Sequence, residues 1–200
     1  MLYERRIPAT DFFQFEWEGS PGGMGGHPLM EAPLVSHFPD GSGLVVVERW
    51  SPTDAVSGTL RLLIWGETGE LELDLELPYT PIVADGWRAQ ERERLERRVP
   101  EDARVVFAPL SASWSDRAYY PPVTDLRAGQ DGRILIRRES SELDSVGWQI
   151  LNRTGDIEGG FRLPSATRLL SVTSRHVWGV VTDELDMPYV VKYQIGPGGS

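Results

Sequence analysis

The chain has 200 residues, with 20 Lys and Arg against 30 Asp and Glu, for a net charge of −10. Its composition, 40% hydrophobic and 25% charged, is that of one globular domain and not of a disordered chain. The acid excess argues against nucleic-acid binding and against docking on anionic lipid, both of which need a basic surface.

The absence of cysteine excludes disulfides, thiolate catalysis and Cys-based metal sites. No apolar run reaches the ~18–20 residues of a membrane span. The first residues lack an apolar core, so no signal peptide is expected in the chain as written. Lys192 is the single lysine against 19 arginines, and Asn152 the single asparagine. A GC-rich genome explains that skew more simply than any role for the arginines.

In chain order, residues 3–8 read as a strand closing at Pro8. Residues 9–32 form a long connection. Its glycines, Gly19, Gly22, Gly23, Gly25 and Gly26, invite a phosphate-loop reading, but their spacing fits neither a Walker nor a dinucleotide motif. A flexible loop is expected there. Residues 34–38 and 44–47 read as two strands, A and B, around Pro39-Asp40-Gly41-Ser42-Gly43, since Asp-Gly tolerates positive φ. Residues 63–78 read as strands C and D around a Thr68-Gly69 turn. Leu71, Leu73, Leu75 and Leu77 alternate with Glu72, Asp74 and Glu76, so period two puts leucines on one face and acids on the other. This is a half-buried edge strand whose charges also block aggregation; a cation site is the competing reading.

Residues 79–121 hold the largest insertion. Residues 85–98 read as a solvated lid helix capped by Asp85, with i,i+4 pairs such as Glu93 with Arg97. Beyond it, Trp114, Asp116, Arg117, Tyr119 and Tyr120 have the chemistry of a ligand-contacting loop. The same residues could instead anchor the loop onto the sheets. Residues 123–127 and 133–137 form the next A–B hairpin around Gln130-Asp131-Gly132. Residues 149–164 then repeat 63–78: Ile64 matches Ile150, Thr68-Gly69 matches Thr154-Gly155, Glu72 matches Glu158, and Leu77-Pro78 matches Leu163-Pro164. Residues 169–172, 177–181 and 189–195 read as A, B and C of a third unit with no D. Residues 196–200 are a flexible tail.

The repeat is therefore a four-stranded antiparallel unit. Residues 3–8 share the D-strand close and stand as an orphan outer strand at the other terminus. Units of about 45–50 residues with a displaced outer strand are the pattern of a β-propeller. Tyr120-Pro-Pro-Val-Thr-Asp-Leu, Asp131-Gly-Arg-Ile-Leu-Ile-Arg, Gly147-Trp-Gln-Ile-Leu, Phe161-Arg-Leu-Pro and Val177-Trp-Gly-Val-Val-Thr-Asp-Glu-Leu-Asp-Met-Pro-Tyr-Val resemble the C-terminal part of bacterial six-bladed β-propellers of the NHL-like class. The resemblance implies an architecture, and export from the cytoplasm, but no particular chemistry. The expected fold is all-β: one partial propeller domain over residues 1–200, with two complete blades, a three-stranded C-terminal blade, the orphan N-terminal outer strand and one inserted helix.

Three blades cannot close a ring. Either the chain is part of a longer parent, or two copies close six blades as a homodimer, residues 3–8 of one completing the last blade of the other. The A–B and C–D turns are tight, whereas the D–A and B–C connections (50–59 and 138–146) are long. In an antiparallel blade the long connections emerge together, on the expected binding face. His27, His37 and His176 lack metal-ligand spacing. The acidic run Thr182-Asp-Glu-Leu-Asp186 could take a hard cation, or simply supply turn polarity. The reading is a non-enzymatic scaffold binding through its long-loop face, with no cofactor, no metal site and no catalytic residue. The alternative is a metal-dependent propeller hydrolase or lactonase. That resemblance requires a Glu/Asn/Asn/Asp cluster on the channel axis, and Asn152 lies in a turn on the opposite face.

Overall fold

The structure is a computed structural model. It describes residues 12–17, 20–27, 29–49, 58–96, 112, 114, 117–129, 131–138, 145–173, 175–183, 185 and 187–194. The expected orphan strand at 3–8, Asp116, the tail and most of both B–C connections lie outside the described residues.

The described residues are mostly β, as the repeat implies, in antiparallel sheets joined by a short helix in the largest connection. The first sheet is β3 (Leu34–His37), β4 (Gly43–Glu48), β5 (Gly58–Gly66) and β6 (Leu71–Tyr79), paired antiparallel in sequence order. The second is β7 (Asp125–Ala128), β8 (Ile134–Arg138), β9 (Ser145–Leu151) and β10 (Ile157–Pro164), paired the same way. The third has three strands, β11 (Arg168–Val172), β12 (His176–Thr182) and β13 (Pro188–Gln194). Phe12–Trp17 and Ser20–Gly26 form a separate hairpin, β1–β2. α1 spans Trp87–Glu96.

The sheets stack in chain order. Val45, Val47, Leu60, Leu62 and Ile64 of the first pack against Leu126, Ile134, Ile136 and Leu151 of the second. The opposite face of the second, with Leu135, Val146, Trp148, Ile150 and Leu163, packs against Leu169 and Val177 of the third. The middle sheet is thus buried on both faces, which is why β8 begins with an unbroken apolar Ile-Leu-Ile. The innermost strands of adjacent sheets lie together: the Ala128 amide donates to Ser36 Oγ at 3.0 Å. β6 keeps the predicted alternation from Glu72 onward, whereas Leu71, beside a register shift in the ladder, is exposed. Leu73, Leu75 and Leu77 are half-buried while Glu72, Asp74 and Glu76 are exposed. Asp74 pairs with Arg61 of the neighbouring strand, so the acids decorate an outer strand and gather around no cation site.

Two expectations are corrected. The glycine-rich stretch expected as a flexible loop is strand β2, in register with β1: Gly23, Gly25 and Gly26 stand opposite Phe15, Phe13 and Phe12. Backbone pairing overrides the low strand propensity of glycine here. The helix starts at Trp87, two residues beyond Asp85, the expected cap. Trp87 N–H instead donates to Ala84 O at 3.2 Å across a turn in which Gly86 holds a φ of 71°. A positive φ at the third turn position defines a type II turn, and glycine takes it without strain. Arg97, the expected partner of Glu93, lies outside the described residues.

Candidate functional site

Opposite ends of the stacked sheets satisfy their polar groups in different ways. At the tight-turn end, each turn is closed on itself. Asn152 Oδ1 accepts from the Thr154 amide at 3.0 Å, the Asp156 amide at 2.9 Å and Thr154 Oγ1 at 2.7 Å. Hydrogen bonds from Thr154 and Asn152 hold the Asp156 carboxyl below its ordinary range. Asp40 is held low in the same way by Ser42. Arg153 ties the second sheet to the first: it donates to Ser42 Oγ at 2.7 Å, Ser42 O at 2.6 Å and Glu72 Oε2 at 3.0 Å. Its guanidinium lies 4.6 Å over the Phe38 ring. Asn152 is therefore a turn-forming residue.

The long connections emerge at the other end, as expected. Arg49 clamps the entries to two inner strands, donating to Ala32 O at 2.8 Å and Val123 O at 2.7 Å. Residues 82–84 and 118–120 form a short antiparallel ribbon, with Ala84 N–H to Ala118 O and Tyr120 N–H to Ile82 O both at 2.9 Å. Three aromatic rings secure it. Trp87 stacks on Trp114 at 5.8 Å, and His27 packs on Trp87 at 5.1 Å. His27 is buried, and its Nδ1 accepts from the Leu29 amide at 3.0 Å. Arg88 donates to Trp114 O.

The candidate site residues from the sequence divide accordingly. Trp114 is buried and anchors the ribbon. Arg117 is paired with Glu31 at 3.0 Å, both side chains largely buried. Tyr119 forms the ribbon bridge to Val83, and Tyr120 lines a cavity. Two cavities flank the ribbon. One, of about 440 Å³, is lined by residues 84–89 with Arg92 and Arg117. The other, of about 220 Å³, is lined by Tyr79, Thr80, Ile82, Tyr120, Pro121, Pro122 and Arg138.

Sequence reasoning missed Tyr79 and Arg138. Both extend apolar rows that face the cleft between the first two sheets: Leu73, Leu75, Leu77, Tyr79 on β6 and Ile134, Ile136, Arg138 on β8. That period-two continuation was the signal available. Gly58, opposite Tyr79 in the ladder, makes room for the ring, since a Cβ there would overlap it. Burial pushes the Tyr79 phenol up to about 12, reinforced by the charge of Glu31 and opposed by Arg138. Burial likewise lowers Arg138 from the ordinary guanidinium value, with Tyr79 offsetting part of the effect.

Among the described residues no group of three or more His, Asp or Glu side chains is placed to hold a metal ion. Asp183, in the acidic run, accepts the Leu185 and Met187 amides at 2.9 Å each, which is turn closure. No helix among the described residues is long and apolar enough to cross a membrane. No family model, curated protein or solved structure matches the chain.

Proposed function

We propose that the chain is a non-enzymatic propeller-type scaffold that takes a ligand or partner on its long-loop face. The observation that carries this is the asymmetry of the two ends. The turn end is closed by short-range hydrogen bonds and by Arg153, whereas two cavities open among the residues of the long connections. Concave sites with a few polar groups among aromatic walls are the usual form of ligand pockets. Screening a mixed fragment library against 15N-labelled protein tests it. Shifts should cluster at residues 79–88 and 117–123; hits confined to the turns at 39–43 and 152–156 would overturn the assignment.

In the same reading the sheets belong to an NHL-like ring completed by a second copy of the chain or by further blades of a longer parent. The support is the outermost described sheet. Val180 and Val190 pair on its face away from the core, and Leu170, Met187 and Tyr189 are exposed. Exposed apolar clusters of this kind call for a cover. Light scattering should give a species of twice 22.4 kDa if two copies close the ring. A monodisperse monomer would remove the homodimer.

A further inference from the structure

The mouth of the cleft between the first two sheets carries more than a generic cavity. Ile134 and Ile136 pack into the apolar core, and the next side chain on that face of β8 is Arg138. A third hydrocarbon would complete the row at no electrostatic cost. The guanidinium instead loses much of its hydration, and burial is the main influence on it. It makes no hydrogen bond or ion pair with any described residue. A half-buried cation without a partner among the described residues is costly, and it lines the 220 Å³ cavity with Tyr79, Thr80, Ile82, Tyr120, Pro121 and Pro122.

The charges around it favour a monoanion. Glu31, whose charge acts on Tyr79, is paired with Arg117 at 3.0 Å. Burial raises the Tyr79 phenol well above neutral pH, so Tyr79 itself stays uncharged there. Among the described residues the cavity thus offers one positive charge without an acidic partner, which matches a carboxylate and would leave a phosphate dianion half unpaired. The planar guanidinium fork suits a carboxylate geometrically. Apart from Thr80 and Arg138 the walls are Ile82, two prolines and two tyrosines, which suit a hydrocarbon or aromatic body. An apolar cavity of about 150 Å³ accommodates benzene, so 220 Å³ accommodates a ring with one carboxylate.

We propose that this cavity is a binding site for a small organic carboxylate, with the carboxylate on Arg138 and the apolar body against Tyr120, Pro121 and Pro122. The inference rests on the scaffold reading and names the ligand chemistry of one part of its long-loop face.

Benzoate, benzamide and inorganic phosphate, titrated at constant ionic strength into 15N-labelled protein, provide the test. Benzoate should shift amides around Tyr79 and Tyr120 saturably, with a dissociation constant on the order of 1 mM for so few atoms. Benzamide should bind at least about tenfold more weakly, as expected for loss of a charge-assisted pair. Phosphate should not compete. Arg138→Gln should reduce benzoate to the level of benzamide and leave benzamide unchanged. Equal binding of benzoate and benzamide, competition by phosphate, no benzoate binding, or benzoate binding that survives Arg138→Gln would each overturn the proposal. If Arg138→Gln does not fold, the contrast between benzoate and benzamide on the native protein decides alone. Fragment shifts at residues 84–89 without benzoate at Arg138 would leave the scaffold reading standing and remove this one. Shifts confined to the tight-turn end would remove both.

Discussion

Gly69 and Gly155 hold the same place in two copies of one turn, and alanine at each separates backbone strain from packing between sheets. Both have positive φ, 84° and 85°. A left-handed conformation costs an L-residue about 1–2 kcal/mol, and a stiffer unfolded chain returns about 0.4–1 kcal/mol. The methyl of Gly69→Ala would meet nothing within 4 Å, so that variant should lose about 1 kcal/mol. Gly155 is buried, and a Cβ there would overlap Leu75 Cδ2 and lie 3.3 Å from Leu73 Cδ2. Overpacking adds about 1–3 kcal/mol, toward the low end here because the Leu75 tip can turn. Gly155→Ala should therefore lose about 2–3 kcal/mol. At about 2–4 °C per kcal/mol for a chain of this size, calorimetry should show Tm falling by about 4–12 °C, against about 2–4 °C for Gly69→Ala. Adding Leu75→Ala to Gly155→Ala should recover about 1 kcal/mol beyond additivity. Equal losses at the two glycines, with no coupling to Leu75, would refute the packing of the second sheet's turn onto the first sheet's outer strand.

Arg153→Met keeps most of the stem over Phe38 but removes the bonds to Ser42 and Glu72. Because the side chain is about one-third exposed, the loss in urea unfolding should be about 1–2 kcal/mol. Glu72→Gln should cost about 0.5 kcal/mol or less and fade with salt; if it costs as much as Arg153→Met, the carbonyl of Ser42 is not the main anchor. Tyr79 gives an alkaline signature. Its folded pKa of about 12 lies above its unfolded value of 10, so its stabilising effect is complete below pH 10 and is lost as pH rises toward 12. Ultraviolet titration should show one phenol ionising last, and Tyr79→Phe should abolish that step and the matching decline in stability. A late step that persists in Tyr79→Phe would assign the buried phenol wrongly.

The fold was readable because the repeat is written in residues with strict backbone demands. Asp-Gly and Thr-Gly turns, the alternating leucines of 71–77 and the Leu-Pro closes located all eleven strands of the three sheets to within a few residues. β1–β2 escaped because glycine is depleted in strands and no Asn-Gly or Asp-Gly turn marks a hairpin between residues 12 and 26. The site was less readable for a different reason. Trp114, Arg117 and Tyr120 stand out by type, but aromatic and basic residues serve anchoring and binding alike. Only the structure separates a tryptophan stacked on Trp87 from a tyrosine facing a cavity. Arg138 looked like one more arginine in an arginine-rich chain. What marks it is its place, one step beyond Ile134 and Ile136 on a face that is otherwise apolar.

That distinction also explains why chemistry gathers at one end of the cleft. At the tight-turn end the chain reverses within about five residues, so its polar groups find partners within the turn or one sheet away, as Asn152 and Arg153 do. At the other end the connections are too long to close on themselves, and they are held by side chains that reach back: Arg49 to two carbonyls, Arg117 to Glu31, Trp114 to Trp87. Each of those groups is spent on holding the chain. Arg138 differs in having no hydrogen-bond or ion-pair partner among the described residues while lining a cavity with Tyr120, and the carboxylate site proposed above rests on that difference.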